Sequence, residues 1–244
     1  MPPGEDQSIV DGLAILLFDY VKKFSNARHR RTHHEAAKLL AFMSVDCAGL
    51  DPWIRGKIDN SRSLDETTCI IAGNSIRSPA TASFFVQKLL KAIPLGNKKR
   101  LLNYQMQALG RLLSQRQDVL SELDESDAYL LVEECLKVFS DETEKDNLAW
   151  LFEHSGLVVV YALRYRIYAP AFLDPESELA IRAKSQFEVA IKKLTERHNR
   201  RVSRFRYGNF VSPSRATRLM GALQQLIDYI DKRGEGDILI ALED

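Results

Sequence analysis

The chain has 244 residues, of which 45% are hydrophobic and 27% are charged, and these proportions are typical of a globular protein rather than a disordered or fibrous one. A chain of this length can bury most of the surface that it exposes when unfolded, so we expect a packed core. The formal net charge of +1 favours no class of partner by itself.

The sequence also restricts the compartment. The longest apolar run, Leu157–Leu163, is far shorter than the roughly 20 residues that a membrane-spanning helix needs. Residues 1–6 lack the positive region and apolar stretch of a secretory signal. Cys47, Cys69 and Cys135 are an odd number at wide spacings, which favours neither disulfides nor a thiolate zinc site. We therefore expect a cytoplasmic protein with reduced cysteines and no membrane span.

The first predicted helix carries apolar residues at steps of four, three, one, three and four, which is the spacing of one helical face. These residues are Ile9, Leu13, Leu16, Leu17, Tyr20 and Phe24. Ile15, Phe18 and Val21 widen the face, so we expect this helix to be buried on more than one side. Thr32 and Glu35 have the spacing of a capping box, which predicts a second helix in an antiparallel hairpin with the first.

The middle of the chain predicts further helices separated by turns. Short apolar pieces between turn residues in 49–77 indicate two short helices there. Ser78-Pro79 is a cap followed by proline at the first helical position, and a helix is predicted from there to Ile93. A longer helix is predicted from Leu101 to near Arg116.

The second half of the chain continues this pattern. A helical face follows Ser126, and the apolar run Leu157–Leu163 fits either a buried helix or a buried strand. We favour the helix, because the only other strand-like run is Ile238–Leu242 and a strand needs partners. Any strand is therefore expected to be confined to that terminal piece.

Two prolines mark the long helices near the carboxyl end. Asp174-Pro175 is expected to open one of them, and Ser212-Pro213 is expected to open the other. Gly234 is expected to end the last helix.

These elements predict an all-α fold, either an irregular multi-helix bundle or a solenoid of antiparallel helical hairpins without a standard repeat, with roughly eight to ten helices. We expect a single helical domain over 1–244. If the chain divides into two helical lobes, the division is expected near 117–126.

The histidine cluster is the main place where a metal or an acid–base group could lie. His34-Glu35-Ala36-Ala37-Lys38 begins like a zinc-protease helix but lacks the second histidine one turn later. A basic loop leading to a capping glutamate is the simpler interpretation, and a metal-dependent enzyme using His33, His34 and Glu35 is the third functional hypothesis. Motifs for a nucleophile elbow, a phosphate loop or a dinucleotide site are lacking. We expect no catalysis, no metal and no cofactor.

Charge is distributed unevenly along the chain. Residues 22–38 carry six lysines or arginines and one acid, and residues 118–146 carry eleven acids and two lysines. Residues 195–218 carry seven arginines and one acid. Such blocks are expected to attract partners of opposite charge, inside or outside the molecule.

The arginine block, residues 197–218, is the most informative feature of the sequence. Arginine forks match phosphate and carboxylate oxygens, aromatic faces stack on bases, and a helix amino terminus favours anions. Its candidate binding residues are Arg197, Arg200, Arg201, Arg204, Phe205, Arg206, Tyr207, Arg215 and Arg218. The sequence leaves three uses open: pairing with the chain's own acids, binding a protein, and binding nucleic acid.

We favour a non-catalytic helical interaction subunit of a larger assembly that docks protein partners through surfaces of opposite charge. The alternative is a nucleic-acid-binding module that uses the arginine block, with help from Arg28, Arg30 and Arg31.

Overall fold

The computed structural model describes residues 5–23, 66–76, 79–92, 99–115, 123–145, 148, 150–199 and 213–235, with isolated positions at 32, 35–36, 39, 52, 55–56 and 58–59. The continuous ranges contain eight α-helices, one short 3-10 helix and no strand, and the isolated positions are helical as well, which confirms the all-α prediction. The α-helices are α1 (Glu5–Lys23), α2 (Glu66–Ser75), α3 (Pro79–Ala92), α4 (Lys99–Gln115), α5 (Glu125–Glu144), α6 (Trp150–Arg164), α7 (Glu178–Asn199) and α8 (Pro213–Asp231).

Contacts along the backbone divide the chain into two compact units, Met1–Glu122 and Leu123–Asp244. Helices α1 to α4 belong to the first unit and α5 to α8 belong to the second. The prediction of a single domain over 1–244 stays a prediction.

The first unit is built around close packing of α2 against α4. Gly73 of α2 allows the helices to approach, because a Cβ placed there would lie only 2.8 Å from the Cα of Ala108. On α3, Phe85 and Leu89 are completely buried, as their helical spacing predicts. Phe84 of α3 also contacts Arg55, which precedes α2 in the chain. The Arg55 guanidinium lies 5.3 Å from the centre of the Phe84 ring, within cation–π range.

The expected burial of α1 on more than one side is wrong. The helix buries Ala14, Phe18 and Val21, which are spaced as a single face. Ile9 and Leu16, which the apolar pattern groups with the core, are exposed. Periodicity identified the helix and its apolar residues correctly, but it did not show which of two apolar faces the fold covers.

The second unit pairs α5 with α6 and α7 with α8, and α8 also packs on α6. Three aromatic rings from three helices form its centre. Phe139 of α5 stacks on Phe152 of α6 with ring centroids 4.8 Å apart, and it meets Phe187 of α7 edge-on at 6.1 Å. These geometries are among those that aromatic pairs prefer, so the rings fix how the helices pack. The run Leu157–Leu163 lies in α6, which confirms the choice of helix over strand.

Helix boundaries follow local chemistry, with one exception. The helices α3 and α8 begin at Pro79 and Pro213, as predicted. The prediction that Asp174-Pro175 opens a helix is wrong: Asp174 caps a turn, in which its carboxylate accepts a hydrogen bond from the Glu176 amide at 3.1 Å. The helix α7 begins at Glu178, and the hydroxyl of Ser177 accepts a hydrogen bond from the Ala180 amide at 3.2 Å, which makes it the cap.

The carboxyl end of α8 needs a glycine. Gly234 has a φ of +84° and donates its amide to the Tyr229 carbonyl at 2.8 Å, so it reverses the chain after Asp231 in a conformation that L side chains rarely adopt. Its prediction as the end of the last helix is confirmed to within a turn. The strand-like run 238–242 lies outside the described residues.

No helix in the ranges that the structure describes is long and apolar enough to cross a membrane. Cys69 and Cys135 are buried thiols, and burial raises the pKa of Cys135. Cys47 lies outside the described residues.

Candidate functional site

The clearest candidate surface is an apolar stripe on the outer side of α1, and we call it the α1 stripe. It consists of Ile9, Leu13, Leu16 and Tyr20, at successive steps of four, three and four residues. The first three side chains are 66%, 45% and 68% exposed, and Tyr20 is half-buried. A contiguous exposed apolar surface is often a site of protein interaction.

The α1 stripe lies on a helix whose opposite face is buried. At about 100° per residue, the centre of the stripe lies roughly 140° from the buried face formed by Ala14, Phe18 and Val21. Ile15 is also 55% exposed, but it lies about 130° from the centre of the stripe. The helix therefore has one buried face, one exposed apolar stripe and one isolated exposed isoleucine.

The structure describes only part of the arginine block. Arg200, Arg201, Arg204, Phe205, Arg206 and Tyr207 lie outside the described residues, as do Arg28, Arg30 and Arg31. Arg197 lies in the last turns of α7, and Arg218 is half-buried on α8 and has an interaction inside the molecule. Binding by these residues stays a prediction.

Arg215 is a member of the arginine block that forms an ion pair with an acidic residue of the same chain. Its Nη1 donates to Oε1 of Glu153 at 3.2 Å, joining the first turn of α8 to the first turn of α6. The Glu153 side chain is only 7% exposed, whereas that of Arg215 is 57% exposed. Burial raises the pKa of Glu153, and the guanidinium partly offsets this effect. This arginine thus serves the intramolecular use that the sequence left open.

Three acids of the acidic block on α5 form ion pairs within their own unit. Lys137 Nζ lies 2.7 Å from a carboxylate oxygen of Glu134, and hydrogen bonding to that carboxylate raises the pKa of Lys137. Arg182 of α7 reaches Glu133 at 3.3 Å, and Lys145 reaches Asp141 at 2.8 Å.

The end of α5 receives a further cation. Lys193 of α7 donates to the backbone carbonyls of Thr143 and Glu144, which lie in the last turn of α5. A helix end carries partial negative charge, so this contact stabilises the packing of α7 on α5. The charged side chains of this region therefore form contacts within the second unit, which makes them less available to a partner.

The histidine hypothesis falls mostly outside the described residues. Glu35 is an exposed helical residue, whereas the positions of His33 and His34 are not described. Among the residues that the structure does describe, no group of three histidine, cysteine or acidic side chains could hold a metal ion. The metal-dependent enzyme stays a hypothesis.

A scan against protein-family models and searches of curated proteins and of solved structures find no match to this chain. The candidate site therefore rests on its own geometry.

The apolar periodicity of α1 predicts that the residues of the α1 stripe belong to the core. A signal for its exposure was nevertheless present: the helix carries apolar residues around most of its circumference, which is more than a single packing face needs. A helix of this composition has enough apolar surface to pack on two sides.

Proposed function

We propose that this chain is a non-catalytic helical interaction subunit that docks protein partners, with the α1 stripe as its main contact. The observation that carries the proposal is the exposure of Ile9, Leu13 and Leu16 on a helix whose opposite side is buried. An exposed apolar stripe at helical spacing matches a helix-in-groove or helix-on-helix mode of recognition.

The energetics of the stripe support a specific but modest contact. Fully burying a leucine or isoleucine contributes about 1.5 to 3 kcal/mol, so covering the exposed fractions of these three side chains contributes about 3 to 5 kcal/mol. Association costs roughly 4 to 15 kcal/mol in lost freedom, so the stripe needs further contacts. The surfaces of opposite charge predicted from the sequence are the natural source of those contacts.

The arginine block enters the proposal as a second contact. Because Arg215 neutralises Glu153 of the same chain, we assign docking to the arginines that precede it, Arg197, Arg200, Arg201, Arg204 and Arg206. Acidic protein surfaces and phosphates would both suit them.

The test is co-purification from the native host with identification of bound proteins and nucleic acid, together with an electrophoretic shift on random-sequence nucleic acid. We expect a stoichiometric protein partner, either another protein or an untagged copy of this chain, that the double variant Leu13→Asp/Leu16→Asp loses and that Ile15→Asp retains. Nucleic acid bound equally by all three proteins, without a protein partner, would replace the proposal with the nucleic-acid-binding module. Stoichiometric metal, together with activity that depends on His33 and His34, would replace it with an enzyme.

A further inference from the structure

We propose that the partner on the α1 stripe is a second copy of this chain, whose own α1 packs antiparallel to the first. The inference rests on the proposed function and deepens it, because it names the occupant of the same surface. Pairing two copies covers the stripe of each, so one interface buries the exposed apolar area twice.

The spacing of the stripe suits pairing between helices. Steps of four, three and four residues are those of the a and d positions of a coiled coil, in which apolar side chains of one helix insert between those of the other. A two-fold axis between residues 14 and 15 would place Leu13 opposite Leu16 of the second copy. The same axis would place Ile9 opposite Tyr20 of the second copy.

Charge complementarity selects the antiparallel orientation. The first turn of α1 contains Asp6 and its last turn ends with Lys23, and both positions lie within about 50° of the centre of the stripe. The same two-fold axis sets position 6 level with position 23, so the acidic end of each helix meets the basic end of the other. Antiparallel helix dipoles add to this attraction, whereas a parallel pair would bring like charges together.

The same charges argue against a lipid surface as the occupant. Interfacial helices are typically rich in lysine and arginine on their polar face, because cell membranes carry anionic lipids. The helix α1 has four acids, Glu5, Asp6, Asp11 and Asp19, against two lysines. These acids weaken the attraction of α1 itself to an anionic membrane.

The first experiment measures self-association by sedimentation equilibrium of the full chain. We expect a monomer–dimer equilibrium that Leu16→Asp weakens about 100-fold or more, because the charge is placed in the interface twice. Ile15→Asp on the same helix and Ile181→Asp on α7 should retain the wild-type constant, since both residues are 55% exposed in the monomer and lie off the stripe. Circular dichroism verifies that all variants remain helical.

The second experiment tests orientation by disulfide formation between two variants, each with one introduced cysteine in a chain whose Cys47, Cys69 and Cys135 are replaced by alanine. We expect Ile9→Cys mixed with Tyr20→Cys to cross-link rapidly, and Ile9→Cys alone to cross-link slowly, because its two copies would lie about 16 Å apart along the helix axis. Rapid cross-linking of Ile9→Cys with itself would overturn the antiparallel arrangement.

The failures of the two proposals are distinguishable. A wild-type chain that stays monomeric, while a different protein binds in a way that Leu16→Asp abolishes, overturns the dimer and leaves the interaction subunit standing. Binding of the monomer to vesicles of phosphatidylserine and phosphatidylcholine, without dimerisation, overturns the dimer in favour of a membrane surface. Equal weakening by Leu16→Asp and Ile15→Asp also overturns the dimer, because it removes the link to the stripe.

Discussion

Replacing Arg215 with glutamine tests whether the end of the arginine block supports the fold. The substitution removes the guanidinium that lies 3.2 Å from Glu153 and leaves a carboxylate that is 7% exposed. Hydrogen bonds to charged groups contribute about 1.5 to 3 kcal/mol, and solvent screening at the half-exposed guanidinium reduces this. We expect Arg215→Gln to lower the free energy of unfolding by about 1 to 2 kcal/mol at neutral pH.

The loss should depend on pH in a defined direction. Burial raises the folded-state pKa of Glu153 above its unfolded value, so the folded chain holds this proton more tightly than the unfolded chain does. The stability gained in this way is fully present below the unfolded pKa and is lost as the pH rises through the folded pKa. Without Arg215 the folded pKa rises further. The difference between wild type and variant should therefore be smallest at acid pH and reach its full size near neutrality.

Urea unfolding followed by tryptophan fluorescence measures this effect. The chain has two tryptophans, and Trp53→Phe leaves Trp150, the first residue of α6, as the sole reporter. Glu153→Gln added to Arg215→Gln is the control, because it removes the buried charge and should restore much of the lost stability. Unchanged unfolding of Arg215→Gln at neutral pH, or no restoration by Glu153→Gln, would refute the reasoning.

Three further changes have defined outcomes. Urea unfolding should show that Gly73→Ala costs about 1 to 3 kcal/mol, because its Cβ would meet the backbone of Ala108, whereas Gly12→Ala, with open space around it, should not destabilise. The same assay should show that Lys193→Met costs about 1 kcal/mol, because the last turn of α5 loses its cation. A variant in which four arginines are replaced with glutamine should keep its thermal unfolding temperature and should no longer co-purify with the partner. The four residues are Arg200, Arg201, Arg204 and Arg206.

The parts of the fold that local chemistry decides could be predicted from the sequence. Proline at the first helical position sets the beginnings of α3 and α8 at Pro79 and Pro213, because its missing amide has no helical partner there in any case. The same signal failed at Asp174-Pro175. There a turn precedes the helix, and Ser177, three residues further on, supplies the cap.

The parts that depend on distant residues could not be predicted. Arg215 and Glu153 are 62 positions apart, and no spacing rule pairs them. The exposure of Leu16 depends on which face of α1 the rest of the fold covers, and periodicity is the same for a stripe that packs inside the molecule and for one that awaits a partner. The ion pair and the exposure of the α1 stripe both depend on the tertiary structure.

Site-specific photo-cross-linking in the native host tests the interaction subunit most directly. A photoreactive phenylalanine derivative is placed at Leu16, on the α1 stripe, or at Ile15, which is similarly exposed on the same helix but lies off the stripe. We expect position 16 to form a discrete adduct with a protein, identified by mass spectrometry as this chain or another, and position 15 to form none. Adducts of equal yield at both positions, no protein adduct at position 16, or adducts with nucleic acid alone would contradict it.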